Sequence, residues 1–332
     1  MIERKELKSK YIGEKMRENR DKKESTDPLE YYSQHSDITN PKAYNHLFSG
    51  LPTTIPELCR VVQNNFVHLL ILKYNGKKAY GITMEDLQEK GRNLKEELNM
   101  VTIEEKLKII YDIKSSSLTT KRSPVERILG NCRDFALLLC SFLRHRGIPA
   151  RVRSGCAKYL NPGQEFYEDH YVTEYWHTQE NRWILVDSQI DEFQHKFMKI
   201  TIDVHDVPRD EFVVGGEAWK WYRTQKVNPE KFGIFDFTGP HYIRYKLVND
   251  LAFLNKEETM AWGGWGLGVV GDEKLSPKDY ALLDYLAEVA TRTDNKPFEE
   301  IRRLYKNPLL RKPDNWQCPV WFFGFEESGS KG

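Results

Sequence analysis

GNCRDFALLLCSFLRHRG, residues 130–147, is the stretch that decides the fold. Asn131 suits the N-cap of a helix, and Gly147 suits the position just past a helix end. Between them apolar residues recur at helical spacing and predict one buried face: Phe135, Ala136, Leu139, Phe142 and Leu143. The sequence therefore predicts an amphipathic helix that carries Cys132 in its first turn.

Cys132 is a candidate nucleophile because of this position. The positive end of the helix dipole favours a thiolate, which is the form of cysteine that attacks carbonyl groups. Backbone N–H groups in the same turn have no partner within the helix and can bind a developing oxyanion. A free cysteine is also often no more than a small buried residue. The helix alone leaves both interpretations open.

The other cysteines serve as comparisons. The chain has 5 cysteines, and none belongs to a C-x-x-C pair. Cys140 lies among leucines in the middle of the same helix and is interpreted as a core residue. Cys59, Cys156 and Cys318 are interpreted as packing residues or inert thiols. A sparse, odd-numbered set differs from a disulfide scaffold and favours a reducing compartment, the cytoplasm by default.

Three strand-like segments follow the predicted helix, at residues 150–157, 170–176 and 183–187. The last two are rich in β-branched and aromatic residues and flank a short polar turn, which predicts an antiparallel hairpin. If the turn is centred between Thr178 and Gln179, Val172 faces Leu185 and Glu174 faces Trp183.

The same register places His170 opposite Asp187. Directly opposed residues point to one face of a sheet, with Cβ atoms about 4.5–5.5 Å apart. Asp187 is then expected to orient His170, which can take the thiol proton of Cys132. Each residue alone has a simpler interpretation, a surface strand histidine and a strand-end turn residue. Their expected pairing behind a helix-terminal cysteine favours catalysis.

Four motifs resemble, in order and spacing, the transglutaminase-like core of transglutaminases, peptide:N-glycanases and many bacterial relatives. They are Gly130-Asn-Cys-Arg-Asp-Phe-Ala, Arg146-Gly-Ile-Pro-Ala-Arg-Val, Asp169-His-Tyr-Val-Thr-Glu-Tyr-Trp and Arg182-Trp-Ile-Leu-Val-Asp, and they span about residues 125–190. The whole chain is similar to bacterial transglutaminase-domain proteins.

This resemblance implies an α+β fold with a transglutaminase-like or papain-like core. In that core a nucleophile helix packs on an antiparallel sheet, here with a helical N-terminal region and a C-terminal extension. The resemblance implies Cys132 as nucleophile, His170 as general base and acid, and Asp187 as the orienting acid.

The chain also departs from the family pattern. Animal transglutaminases use a tryptophan upstream of the cysteine to help bind the oxyanion, whereas the first tryptophan here is Trp176. Gln63, on an early predicted helix, is a candidate substitute donor; a solvent-facing glutamine is the simpler interpretation. Trp262 and Trp265 lie in a glycine-rich loop and are candidates for the wall of a substrate cleft, with core packing as the alternative.

Four segments are predicted along the chain: a flexible charged tail at 1–28, a mainly helical N-terminal part at 29–124, the catalytic core at 125–190, and a C-terminal extension completing the substrate cleft at 191–332. Outside the core, apolar spacing predicts a helix that begins after Thr54 and continues to Leu69. Further helices are predicted over 103–113 and from Ser276 to Ala290.

Composition excludes several classes of function. The 332 residues are 39% hydrophobic with a formal net charge of +1, which gives no overall field to attract nucleic acid or an anionic membrane. No long apolar run or secretory leader is evident. EF-hand and H-E-x-x-H patterns are absent from the sequence, so no calcium, zinc or other cofactor is expected.

These observations predict an enzyme that forms an acyl-enzyme on Cys132. The substrate would be a peptide, a protein or a small amide or acyl compound. Amine resolution would make it an acyltransferase, and water would make it an amidase or peptidase. Two alternatives stay open: acetyl transfer from a coenzyme A thioester, as in arylamine acetyltransferases, and a binding module without chemistry. The sequence does not predict an oligomeric state.

Overall fold

The computed structural model describes residues 27–317. The predicted tail at 1–28 therefore lies almost wholly outside the described residues, as does Cys318. The division of the chain into four segments stays a prediction.

The part before Cys132 is built of short helices and two three-residue strands. Its elements are α1 (Pro28–Ser33), α2 (Ile55–Asn65), β1 (Phe66–His68), α3 (Leu69–Ala79), α4 (Met84–Gln88), α5 (Leu94–Asn99), α6 (Ile103–Ile113) and β2 (Ile128–Gly130), with 3-10 turns at Lys42–Phe48 and Pro124–Glu126. Thr102 caps α6, and the predicted helix over residues 103–113 is confirmed.

From Cys132 onward, the chain contains both strands and helices. The elements are α7 (Cys132–His145), β3 (Ala150–Ala157), β4 (Tyr167–His177), β5 (Arg182–Val186), α8 (Glu192–Phe197), β6 (Phe212–Val214), α9 (Gly215–Arg223), β7 (Phe232–Ile234), β8 (Phe237–Thr238), α10 (Pro240–Leu254), α11 (Pro277–Ala290) and α12 (Phe298–Leu304). Further 3-10 turns lie at Pro229–Lys231, Gly266–Gly268 and Asp272–Lys274. Ser276 caps α11 as predicted, with Pro277 in its first turn.

The main sheet of the described chain has the order β6-β3-β4-β7-β8, and β5 also pairs with β4. β3 and β5 lie antiparallel to β4, whereas β7 runs parallel to it. α7 packs on β3 and β4 from one side and contacts α2 and α6 on the other. The predicted α+β fold, a helix on a largely antiparallel sheet, is thus confirmed.

The nucleophile helix α7 is buried more completely than its sequence indicates. Residues 132–144 are all buried, including Leu137 and Leu138 on the side opposite the predicted face. The reason is that helices α2 and α6 cover this side, and the periodicity of one segment carries no information about helices that pack on it from elsewhere in the chain. At the far end Gly147 adopts a φ of +69°, and the N–H of Ile148 donates to the carbonyl of Leu143 at 3.0 Å, which closes the helix as predicted.

The β4–β5 hairpin forms, but its predicted register is wrong by two residues. Glu174 pairs with Leu185, not with Trp183. The turn spans four residues, 178–181, and Asn181 takes a φ of +52°, so the centre of the hairpin lies one residue later than predicted. A shift of two residues preserves the face of every side chain, because strand side chains alternate with a period of two.

The predicted helix through Leu69 is also wrong at its end. α2 stops at Asn65, and residues 66–68 form β1, which pairs in parallel with β2 and aligns His68 with Gly130. A short apolar segment does not distinguish a strand from a helix by periodicity alone. The partner strand, which decides the conformation, lies far away in the sequence.

A buried network of charges ties α10 to the sheet. Asp250 accepts two hydrogen bonds from Arg153, at 3.0 and 2.7 Å, and one from the N–H of Ser154 at 2.9 Å. Arg153 also donates to Glu174 at 2.9 Å. Although burial opposes it, the guanidinium groups of Arg151, Arg153 and Arg209 hold the pKa of Glu174 well below its usual range.

We expect Asp250→Ala to lower the free energy of unfolding by about 3–5 kcal/mol, because it leaves Arg153 sharing one carboxylate with other arginines in a buried site. Urea denaturation measures the change. Asp112→Ala is the matched control, since Asp112 forms only an exposed pair with Lys108 and its loss should leave the midpoint nearly unchanged. Equal midpoints for both variants would contradict the prediction.

Candidate active site

A cavity of about 190 Å³ lies where the start of α7 meets β4. Polar residues of its wall include Cys132, His170, His68, Asn131, Glu168, Asp169 and Gln189. Its apolar wall includes Leu69, Leu70, Ile71, Leu160, Met198, Ile234 and Trp262. Segments before, within and after the predicted core thus meet at one concave site.

Cys132 occupies the first position of α7, held there by a complete capping box. The side chain of Asn131 accepts from the N–H of Arg133 at 3.0 Å, and Asp134 accepts from the N–H of Asn131 at 3.0 Å. Nζ of Lys106 donates a hydrogen bond to Oδ2 of Asp134 at 3.1 Å. Because both ends of the box are fixed, the first turn presents Cys132, 6% exposed, to the cavity.

His170 lies between Asp187 and Cys132. Its Nε2 donates to Oδ2 of Asp187 at 2.8 Å, and the Cys132 thiol lies close enough to the ring to help raise the pKa of His170. Asp187 follows the last residue of β5, so it reaches His170 diagonally and not from the directly opposed position. The bond to Asp187 engages Nε2, which leaves Nδ1 for the thiol.

Asp187 is itself held by two further donors. The hydroxyl of Tyr159 donates to Oδ2 at 2.7 Å, and the N–H of Gln189 donates to Oδ1 at 2.9 Å. Burial opposes its charge, but His170, Tyr159 and Gln189 together keep the pKa of Asp187 below its usual range. The carboxylate is therefore charged and fixed in orientation.

The electrostatics favour a protonated His170. Burial opposes the charged ring, yet the charge and hydrogen bond of Asp187, followed by the contact with Cys132, raise the pKa of His170 to about 10. The ring can therefore hold a proton at neutral pH and balance a thiolate beside it.

The other cysteines within residues 27–317 lie in different surroundings. Burial raises the pKa of Cys59 far above that of an ordinary thiol and raises the pKa of Cys140 and Cys156 to about 12. These side chains are at most 1% exposed. They match the sequence interpretation of packing residues, whereas Cys132 borders a cavity.

Gln63 does not reach this cavity, which corrects the expectation that it could bind an oxyanion there. Its Nε2 donates to the carbonyls of Ser188 and Ile190 at 3.2 and 3.0 Å, and its side chain lines a separate surface groove. Gln63 thus helps to anchor the segment that follows Asp187. Its donor faces backbone carbonyls because α2 packs against that loop.

The two tryptophans of the glycine-rich loop lie in different environments. Trp262 lines the cavity, and its Nε1 donates to Oδ2 of Asp169 at 3.0 Å. Trp265 lies in a second hydrophobic core, 3% exposed, where its Nε1 donates to the carbonyl of Leu310 at 2.8 Å. The expectation that both wall the cleft is corrected for Trp265, which packs away from the cavity.

Sequence reasoning did not single out Asp169 and His68, which are among the polar residues of the cavity. Asp169 is 3% exposed and is paired with Lys246 of α10 at 2.8 Å, and it also accepts from Tyr242 at 2.7 Å. Its place directly before His170 was a usable signal, but its partners come from a distant helix. His68 was missed because its strand was interpreted as part of a helix.

Within residues 27–317, no three His, Cys, Asp or Glu side chains are arranged to hold a metal ion. Every helix in that range is too short or too polar to cross a bilayer.

The chain is similar to known proteins over part of its length. Residues 85–188 match the family model of the transglutaminase-like superfamily. Among solved structures, a proposed cysteine protease from Cytophaga hutchinsonii is similar at 17% identity and a TM-score of 0.27, over 55% of this chain and 44% of that chain. The match thus spans less than half the length of that protein. No curated protein matches the chain. The family match supports a cysteine-nucleophile enzyme in general terms.

Proposed function

We propose, on the premise that residues 85–188 form a transglutaminase-like domain, that this chain is a thiol enzyme that transfers or hydrolyses acyl groups through an acyl-enzyme on Cys132. His170 is its general base and acid, and Asp187 orients that histidine and stabilises its protonated form. The substrate is a peptide, a protein or a small amide or thioester. The reaction needs no metal or other cofactor.

A single observation carries this proposal: one imidazole bonds to a buried carboxylate at 2.8 Å and lies beside the Cys132 thiol, on the wall of the same cavity. A carboxylate in that position sets the tautomer of the ring and stabilises its charged form. The cysteine lies at a helix N-terminus, where the dipole favours a thiolate. These are the parts that nucleophilic catalysis on a carbonyl requires.

The first half of the reaction forms the acyl-enzyme. Sγ of Cys132 attacks the carbonyl carbon, and the carbonyl oxygen becomes an oxyanion near the backbone N–H of Cys132, which has no described partner, whereas the next three N–H groups are bound to Asn131. The carbon–nitrogen or carbon–sulfur bond to the leaving group then breaks, and His170 supplies the leaving group with a proton.

The second half releases the acyl group. Water or an amine attacks the thioester carbon while His170 takes its proton, and the bond to Sγ breaks to regenerate the thiolate–imidazolium pair. Water gives an acid, and an amine gives a new amide. Product analysis with and without an added primary amine distinguishes the two outcomes.

The size of the cavity bears on the substrate. Sites that enclose a drug-sized ligand occupy roughly 300–1,000 Å³, whereas this one holds about 190 Å³. The cavity therefore suits the acyl portion of a substrate, next to an apolar wall, with the leaving group outside. The charge balance of +1 favours neither nucleic acid nor an anionic membrane as a partner. We place the enzyme in the cytoplasm.

Iodoacetamide labelling against pH, with the modified residue mapped by mass spectrometry, tests the nucleophile directly. We expect Cys132 to react at pH 6, where an ordinary cysteine is almost wholly protonated, because His170 holds a proton beside it. Cys59, Cys140 and Cys156 should react far more slowly in the native protein, since burial raises the pKa of each.

The variant His170→Ala supplies the control. In this variant Cys132 should not be labelled at pH 6 and should be labelled only at alkaline pH. If Cys132 in the wild-type protein labels no faster than the buried cysteines, the proposed nucleophile is refuted.

A further inference from the structure

His68 lines the same cavity, outside the Cys132–His170–Asp187 arrangement. It ends β1 and pairs in register with Gly130, two residues before Cys132. The parallel β1–β2 pair therefore fixes the histidine next to the start of α7. Its side chain lines the cavity although only 7% of the residue is exposed.

The imidazole of His68 has no described hydrogen-bond partner in the protein. Its Nδ1 is buried and unpaired among residues 27–317, and its described ring contact is with Phe135 at a centroid distance of 6.0 Å. Buried polar atoms without partners are rare in folded proteins and call for an explanation. The side chain of His68 also lines the cavity, so a ligand there that accepts a hydrogen bond can take the N–H of the neutral ring.

His68 also remains neutral. Burial, and then the nearby charge of His170, lower the pKa of His68 to about 3. A neutral imidazole carries one N–H and no net charge, so it can donate a hydrogen bond without competing for the proton of His170. It lacks a carboxylate partner like the one that Asp187 provides to His170, which argues against a second general base.

We propose that His68 donates an imidazole N–H to the oxyanion that forms when Cys132 attacks a substrate carbonyl. This inference rests on the proposed acyl-enzyme chemistry and names a hydrogen-bond donor for the oxyanion that this chemistry forms. It also explains a buried polar ring in an otherwise apolar strand, Phe66–His68. Gln63, considered for this role from sequence, has its donor bound to backbone carbonyls elsewhere.

Two reagents separate the role of His68 from the reactivity of Cys132. Iodoacetamide alkylates a thiolate by displacement and forms no oxyanion, whereas p-nitrophenyl acetate acylates it through one. His68→Phe keeps a ring of similar volume but removes the donor. We expect its acylation rate to fall about 10²- to 10³-fold, with alkylation of Cys132 at pH 6 within about twofold of wild type.

His68→Gln is the conservative variant, since its amide retains an N–H donor. It should keep at least a tenth of the wild-type acylation rate. His46→Phe, at an exposed position on the 3-10 turn Lys42–Phe48, is the matched control and should change neither rate.

A measurement on wild-type protein covers the case in which the variants do not fold. With isotopically labelled histidine, acetaldehyde should form a hemithioacetal on Cys132 and move the ring N–H resonance of His68 downfield. An unchanged resonance on adduct formation would overturn the inference.

Other outcomes are equally decisive. Wild-type acylation by His68→Phe would exclude an oxyanion role, and an equal fall in alkylation and acylation would show that His68 only supports the Cys132–His170 pair. Wild-type protein that is alkylated at Cys132 but never acylated would refute the proposed function, and the role of His68 with it.

Discussion

Cys132→Ala is expected to lower the rate of acyl transfer or hydrolysis by at least about 10⁴-fold, because it removes the only atom that can form the acyl-enzyme. The fold should survive, since the lost sulfur borders a cavity and the capping box of α7 is made by Asn131 and Asp134. Turnover of a thioester or activated amide measures the loss, and circular dichroism checks the fold.

Cys140→Ala is the matched control for this substitution. Cys140 lies two turns later on the same helix, is fully buried and does not line the cavity. Its replacement should cost stability by leaving a small void but should leave the rate nearly unchanged. Full activity in Cys132→Ala would end the proposed mechanism, whatever the behaviour of Cys140→Ala.

Asp187→Asn is expected to reduce the rate by about 10³- to 10⁴-fold while keeping the shape of the site. Loss of a carboxylate that holds a catalytic imidazole removes both its correct tautomer and the stabilisation of its charge. The remaining donors, Tyr159 and the N–H of Gln189, would face an amide that cannot accept as strongly. Single-turnover acylation, which isolates the step that His170 serves, is the appropriate measurement.

The pH dependence of the rate gives a second test of the role of Asp187. The charge of Asp187 raises the pKa of His170 to about 10, so the proton that His170 gives to the leaving group is present at neutral pH and is lost as the pH rises through about 10. The wild-type rate should therefore fall at the alkaline end of the profile. Without the carboxylate the charged ring is less stable, so this fall should move to lower pH in Asp187→Asn.

Asp206→Asn is the control for the removal of a carboxylate. Asp206 pairs with Arg182 near the surface, away from the cavity, so the variant should keep the wild-type pH profile. An alkaline fall at the same pH in Asp187→Asn and wild type would contradict the assigned coupling between Asp187 and His170.

The geometry also bears on the alternatives that the sequence left open. A binding module on this fold would be favoured by His170 or Asp187 pointing away from Cys132, whereas His170 bonds to Asp187 and lines the same cavity as Cys132. No feature of the described residues specifically favours coenzyme A. Acetyl-enzyme formation on mixing with acetyl-coenzyme A would separate that donor from amides.

The sequence by itself determined the elements whose pattern is local. The capped helix that begins at Cys132, the strands β3 to β5, and the helices at 103–113 and 277–290 follow from apolar spacing, caps and turn residues. The pairing of His170 with Asp187 was also within reach, although the register was wrong by two residues. Side-chain period in a strand is two, so that error left both residues on one face.

Only the tertiary structure decided the features that depend on distant partners. The β1–β2 pair, which brings His68 to the cavity, joins segments that show no mutual signal in the sequence. Lys246 of α10 neutralises Asp169, and Ser188 and Ile190 engage the donor of Gln63. Periodicity reports whether a side chain is buried, but the atom that satisfies a buried polar group is chosen by long-range packing.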